Sequence, residues 1–204
     1  MAYFPFFIDI ADKPCVIFGG GNVAMRKVLK LIGFGCRITV VAPDVCGGIR
    51  SAEGVNIITD EFKTEYAEGA FMVIAATDDP AVNTAVSHFC RKKGILVNVV
   101  DVKEECSFLF PALFNDGPIT AGISTSGESP QTAKAVRRII EKSVPAYMGD
   151  IAETLGGLRE EIKSGIPCQK TREKVFAALF DAMDKNGGKI SGEEIKNIIR
   201  QVGK

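Results

Sequence analysis

The stretch CVIFGGGNVAMRKVLKLIGFG, from Cys15 to Gly35, restricts this chain more than any other part of it. CVIF is a short apolar run with β-branched residues, as in a buried parallel strand. Beyond the three glycines, Val23, Ala24, Lys27, Val28 and Leu31 recur at three- and four-residue spacing, which predicts an amphipathic helix. Gly19 suits the tight turn, Gly21 lets the backbone approach a bulky anion, and Ala24 is small enough for the helix to pack on the strand. The pattern is G-x-G-x-x-A. A helix that begins here points its free N–H groups and the positive end of its dipole at whatever lies over the glycines, most naturally a pyrophosphate.

Glycine-rich strand-to-helix turns also serve packing alone, so context decides. RITVVAP (Arg37–Pro43) comes next as a second strand, as a βαβ unit requires. In an NAD site an Asp or Glu usually ends that strand and holds the ribose hydroxyls. Val41 and Ala42 stand there instead, and Asp44, slightly late, is the nearest carboxylate. No arginine stands directly after it to receive a 2′-phosphate, and Arg50 is further along. The cofactor expected is NAD rather than NADP, with Gly19, Gly21 and Asp44 among its contacts.

The alternation continues. VNIITDEF (Val55–Phe62) reads as a third strand, AFMVIAAT (Ala70–Thr77) as a fourth and ILVNVVD (Ile95–Asp101) as a fifth. Between the last two, Asp79 as N-cap and Pro80 at the first helical position open a helix through Lys92. Such alternation predicts a parallel sheet covered on both faces, a Rossmann-like domain. Ligands of these sheets bind outside the carboxyl ends of the strands. Those ends carry the glycines, APD, ATDD with Thr77, and VVD, so Thr77 joins the candidate cofactor contacts.

Near residue 105 the rhythm changes. SFLFPALFNDGPITAGISTSG reads as two strands joined at Asn115-Asp116-Gly117-Pro118, a strong turn signal. In ESPQTAKAVRRIIEKSVP, Ser129 caps a helix, Pro130 begins it and Pro145 marks its stop. The remainder is helical, with breaks at KSGIPCQKT and DKNGGKISG. The expected fold is α/β: a Rossmann-like domain over residues 1–112, a small α+β unit over 113–145 and a helical domain over 146–204.

One break resembles a calcium loop. FDAMDKNGGKISGEEI offers Asp184, Asn186, Ser191 and Glu194 as oxygen ligands, but Asp184 to Glu194 is one residue short of the twelve-residue EF-hand loop and lacks its fifth-position carboxylate. A glycine turn leading to Ser191 as an N-cap is the better reading.

Composition narrows the function. With 25 basic and 25 acidic residues the formal net charge is zero, against nucleic acid or an anionic membrane as the main partner. MAYFPFFIDIADKP has no basic region and no small-residue cleavage site, so no signal peptide is expected, and no apolar run is long enough to span a bilayer. Six cysteines without a C-x-x-C pair read as reduced thiols of a cytoplasmic protein. With His88 as the only histidine, no preformed metal cage is expected.

The second half points to a family. GPITAGISTSGESPQTAKAVRRIIEKSVP, coming after FPFFIDIADKPCVIFGGGNVAMRK, AATDDPAVN and VNVVD, resembles the dehydrogenase/ferrochelatase module of siroheme synthase, the precorrin-2 dehydrogenase family, from about Phe4 to Pro145 and more loosely beyond. The resemblance implies oxidation of precorrin-2 to sirohydrochlorin with NAD⁺ and, in many members, insertion of Fe²⁺ to give siroheme. It implies a homodimer, with residues 113–145 as the dimerisation and substrate-loop unit. Asn22, Val23, Pro43 and Asp44 would contact the cofactor. Asp101 matches the family's essential aspartate, proposed as general base. Ser124 and Thr125 match its serine motif, although STSGES departs from the usual pattern by placing Ser126 and Glu128 there.

The implied substrate makes chemical sense. Precorrin-2 carries eight carboxylates, and a hydroxyl-rich loop of Ser124, Thr125 and Ser126 leading into a helix with Lys134, Arg137 and Arg138 offers cations and N–H donors. Arg137 is the cation assigned to the substrate; the bland alternative for each is a solvated helix face. Two other functions are open: a dehydrogenase for another small substrate, and a non-catalytic NAD-responsive sensor. Since the sequence contains no methyltransferase segment, methylation of the precursor is expected from another protein.

Overall fold

The computed structural model describes residues 3–203; Met1, Ala2 and Lys204, at the outer ends of the first and last regions, lie outside the described residues. The chain divides into two compact units, with the boundary between Phe110 and Pro111.

The first unit is built on a five-stranded parallel sheet. Strands β1 (Pro14–Phe18), β2 (Arg37–Val41), β3 (Val55–Ile58), β4 (Met72–Ala75) and β5 (Leu96–Val99) lie in the order β3-β2-β1-β4-β5. The β1–β4 neighbours mark the point where strand order reverses, the place where such sheets open a crevice at their carboxyl ends. Helix α1 (Asn22–Ile32) covers one face through Ala24, Val28 and Leu31 against Ile17, Val40 and Ile74. Further along the chain come a four-residue helix α2 (Gly47–Arg50) and then α3 (Pro80–Lys93). Helix α3 covers the other face, where Val86 and Cys90 pack with Phe18, Val73 and Val97. Each fully buried Ile or Val here contributes about 1.5–3 kcal/mol relative to exposure.

Helix α3 shows how local chemistry sets an element's limits. The Ala81 N–H donates to Asp79 Oδ1 at 2.8 Å, Pro80 occupies the first turn, and Gly94 at φ +70° turns the chain away after three basic residues.

The strand–helix alternation is less regular than the sequence suggests. From β2 to β3 the only helix is α2, and from β3 to β4 there is a single 3-10 turn, Thr64–Ala67. Neither connection carries a sustained apolar period of 3.6; single anchors, Ile49 and Ala67, are fully buried instead. The strands are also shorter than expected. β5 stops at Val99, so Asp101 lies two residues past the strand, in a turn. The returning chain lies along β5 there: Ser107 N–H donates to Val97 O and Val97 N–H to Ser107 Oγ, each at 2.8 Å.

The second unit begins with antiparallel strands β6 (Ala112–Asp116) and β7 (Ile119–Ile123), joined through Gly117 at φ +54° and Pro118. Helix α4 (Pro130–Ser143) packs on this hairpin, and Ser129 Oγ accepts from Thr132 N–H at its start. Helices α5 (Met148–Gly157), α6 (Arg159–Gly165), α7 (Gln169–Lys185) and α8 (Gly192–Val202) complete the unit, around a core of Ile162, Ile166, Val175 and Leu179.

Candidate functional site

The glycine turn occupies the carboxyl edge of β1, and its three residues do different work. Gly19 sits at φ +113°, and a Cβ on it would collide with the carbonyl oxygen of Ala76 at the end of β4. A Cβ on Gly20 would collide with the carbonyl oxygen of Asp44 after β2. At Gly21 a Cβ would meet nothing within 4 Å, so open space lies over the start of α1. Gly20, which the G-x-G-x-x-A pattern leaves unspecified, is thus as constrained as Gly19; only the approach of the β2 loop shows this.

Helix α1 begins with Gly21 as N-cap, without a side-chain cap and without an acid in its first turn. Its first N–H groups have no intrahelical partner and face the space that Gly21 leaves open. Asn22 is exposed and Val23 half-buried beside them. An anion fits here, and the pyrophosphate of a dinucleotide is the anion this geometry suits.

Two further edges frame the turn. After β2, Cys46 N–H donates to Gly20 O at 2.8 Å, which fastens the loop holding exposed Pro43 and Asp44 to the glycines. Asp44 Oδ1 accepts from Val45 N–H at 2.8 Å and from Arg50 Nη2 at 3.1 Å. After β4, Thr77 is held by Asn83 of α3: its N–H and hydroxyl donate to Asn83 Oδ1 at 3.1 and 2.8 Å, while Asn83 Nδ2 donates to Thr77 O at 3.0 Å. Sequence reasoning missed Asn83, and its one signal there is a polar residue on the buried side of a helix.

Asp101 is exposed and left-handed, at φ +62°, a conformation uncommon outside glycine. Its turn is fastened from two sides. Cys106 Sγ lies 3.2 Å from Val99 O and 3.3 Å from Val102 O and accepts from Val99 N–H at 3.2 Å. From α3, Ser87 Oγ donates to Glu105 O at 2.9 Å, Thr84 Oγ1 to Glu105 Oε1 at 2.9 Å, and Arg91 Nη2 to Glu104 O at 2.6 Å. Burial pushes the Cys106 thiol up from its ordinary pKa, so it remains a neutral thiol in this role.

Beneath this edge lies a polar group that sequence reasoning also missed. Asn98, buried in β5, accepts from Lys27 Nζ of α1 at 3.5 Å and donates to Phe108 O at 3.0 Å. The Lys27 ammonium also lies 4.0 Å from the centre of the Phe110 ring. Burial, helped by the neighbouring charge of Lys30, lowers the Lys27 pKa to about 8.

The hydroxyl loop belongs to the second unit. Ser124 Oγ accepts from Ser126 N–H at 3.1 Å, and Ser126 is left-handed at φ +55°. Thr125 Oγ1 donates to Ser129 O at 3.0 Å and accepts from Ser129 N–H at 3.1 Å, so this hydroxyl holds the entry to α4. Arg137 pairs with Glu141 at 2.9 Å along the same helix. Among the described residues no group of three or more His, Cys, Asp or Glu is gathered as a metal site, and no helix is long and apolar enough to cross a membrane.

A doubly wound parallel sheet with an uncapped helix behind an open glycine turn defines a dinucleotide-binding α/β protein. The family model NAD_binding_7, described as "Putative NAD(P)-binding", matches residues 6–112, and the chain belongs to that family. The siroheme synthase of Methylococcus capsulatus is 39% identical over 184 residues, 89% of this chain and 39% of that protein. That of Photorhabdus laumondii subsp. laumondii is 35% identical over 194 residues, 92% of this chain and 41% of that protein. The chain thus spans about two fifths of the length of the curated relatives it matches. A solved structure described as "SirC, precorrin-2 dehydrogenase" superposes with a TM-score of 0.75, covering 98% of both chains at 22% identity, a likeness of fold.

Proposed function

We propose that this chain oxidises precorrin-2 to sirohydrochlorin with NAD⁺. The observation that carries the reading is the alignment of 89% of the chain, at 39% identity, with a siroheme synthase, in a chain whose first half is NAD(P)-binding. The generic alternatives, another small substrate or a non-catalytic sensor, draw on the glycine turn alone and leave the likeness of residues beyond 112 unexplained.

Each part of the site has its own task. Gly21, Asn22 and Val23 would hold the pyrophosphate at the start of α1, with Gly19 forming the turn below. Pro43 and Asp44 would face the adenosine ribose, and Thr77 would border the site at β4. The nicotinamide, when bound, supplies the hydride acceptor. Oxidation removes a hydride and a proton from the macrocycle, and the Asp101 carboxylate takes the proton. An exposed carboxylate on a fastened turn suits that task, because it can reach a bound macrocycle without rearranging the chain. In the second unit Ser124, Thr125, Ser126 and Arg137 serve the carboxylate-rich substrate.

The regions 1–112, 113–145 and 146–204 then act as cofactor domain, dimerisation unit and helical domain of a homodimer. The exposed apolar residues Val136 and Ile139 of α4 support that pairing. Six free cysteines support a reducing, cytoplasmic setting. The test is incubation with precorrin-2 and NAD⁺: NADH and the spectrum of sirohydrochlorin are expected, and none with simple hydroxy acids. Addition of Fe²⁺ to the same mixture reads its use as a second substrate. Binding of NAD⁺ without turnover would favour the sensor instead.

A further inference from the structure

β5 lies at one end of its sheet, and its outer edge is closed by side chains rather than by another strand. Ser107 Oγ accepts from Val97 N–H at 2.8 Å, and Cys106 Sγ accepts from Val99 N–H at 3.2 Å. Asn98 Nδ2 donates to the same sulfur at 3.5 Å. The thiol hydrogen has two carbonyls within reach, Val99 O at 3.2 Å and Val102 O at 3.3 Å. One atom therefore touches the chain on both sides of Asp101. Asp101 is exposed and left-handed, at φ +62°, so the backbone of the turn, rather than packing around the side chain, aims its carboxylate.

We propose that Cys106 is a positioning residue for the reaction, its thiol holding the turn that presents the Asp101 carboxylate to the macrocycle. This rests on the role proposed above for Asp101. A thiol suits the place: sulfur is large and polarizable, and it sits on a longer bond than a hydroxyl oxygen. It can meet groups on both sides of the turn that a serine oxygen would meet only in part. Burial pushes the thiol up from its ordinary pKa, so the hydrogen it donates stays in place. Without the sulfur, the N–H of buried Val99 loses its partner, a costly loss away from water. The turn would then depend on α3, whose Thr84, Ser87 and Arg91 hold Glu104 and Glu105, beyond Asp101 in the chain. A shift of about 1 Å in a reacting group can cost on the order of a hundredfold in rate, so a loosened turn is felt in the chemistry.

The test compares the full chain with Cys106→Ala, Cys106→Ser, Asp101→Asn and the Cys106→Ala/Asp101→Asn double variant. Amide exchange is read first, without substrate. In Cys106→Ala the Val99 amide should exchange at least about tenfold faster, while the Val40 amide, within β2, is unchanged. Single-turnover oxidation of precorrin-2 by NAD⁺ comes second. Cys106→Ala should lower the rate about 10- to 100-fold, with NAD⁺ affinity and the KM for precorrin-2 within about twofold of native. Cys106→Ser should recover part of that rate, and it carries the same test if the alanine variant does not fold. In the Asp101→Asn background the alanine change should cost nothing further, because the thiol acts through the carboxylate. Unchanged exchange at Val99 would overturn the proposal, as would a native rate in Cys106→Ala or a full further loss in the double variant. A native chain that forms no NADH would count against the reaction and leave the hold on the turn to be decided by the exchange measurement.

Discussion

Lys27 Nζ lies 3.5 Å from Asn98 Oδ1, joining α1 to β5 across 71 positions of chain, on the same strand that leads to the Asp101 turn. A half-buried ammonium against an amide and an aromatic face is poorly compensated for lost water, and burial accordingly brings its pKa from 10.5 down to about 8.

Linkage sets the direction in which this shift acts on stability. Between pH 8 and 10.5 the unfolded chain binds more protons at Lys27 than the folded chain, so stability contributed by this group rises with pH across that window. Below pH 8 the full penalty for burying the charge applies. Lys27→Met keeps the stem and removes the titration. Native stability measured by denaturant should gain on the variant from pH 8 to 10.5, by less than the about 3 kcal/mol that such a shift allows, because solvent screens a partly exposed ammonium. Parallel pH profiles for the two proteins would show that Lys27 is not shifted.

The glycine turn makes a paired prediction. Gly20→Ala drives a Cβ into the Asp44 carbonyl, a backbone atom that cannot rotate away, and should cost about 1–3 kcal/mol or more in stability. Gly21→Ala places its Cβ in open space and should lose only about 1 kcal/mol as an N-cap change, while weakening NAD⁺ at least tenfold. Thermal melts and nucleotide titration on the two variants separate the effects. A Gly20→Ala protein as stable as the native one would contradict the packing described.

Residues 184–194 are expected to be structural. Asp184 Oδ1 accepts from the Tyr147 hydroxyl at 3.0 Å, and Glu194 Oε2 accepts from Ser191 N–H at 2.9 Å while Ser191 Oγ accepts from Glu194 N–H at 3.2 Å. This reciprocal cap begins α8. Millimolar Ca²⁺ should leave the melting temperature unchanged, and Ser191→Ala should destabilise by about 1 kcal/mol. A saturable calorimetric signal for Ca²⁺ that disappears in Asp184→Ala would show a working site.

Where a feature depends on neighbours in sequence, it is legible there. The apolar strand CVIF, the Asp79–Pro80 start of α3 and the Ser129–Pro130 start of α4 each depend on residues a few positions apart. The G-x-G-x-x-A turn is local in the same way. The features that escape depend on approach between distant segments. Gly20 is needed because the β2 loop arrives beside it, and Arg50 reaches Asp44 because α2 reverses the chain. β5 ends at Val99 opposite Ala75, the last residue of β4, while Cys106 and Ser107 return along it. The hydroxyls of the second unit are proposed for the substrate on their chemistry alone, and the Thr125 hydroxyl holds the entry to α4, which periodicity does not reveal.

On the proposed mechanism, Asp101 takes the proton as precorrin-2 is oxidised by NAD⁺. Asparagine tolerates the left-handed backbone found at this position, so Asp101→Asn removes the base with little strain. The most direct measurement is single-turnover formation of NADH from precorrin-2 and NAD⁺, native chain against Asp101→Asn, with NAD⁺ affinity measured on both. One NADH per sirohydrochlorin is expected in the native chain, with a fall of about 10²–10⁴ in rate for the variant and nearly unchanged NAD⁺ affinity. A variant that oxidises precorrin-2 at close to the native rate, or a native chain that binds NAD⁺ and precorrin-2 yet forms no NADH, would contradict it.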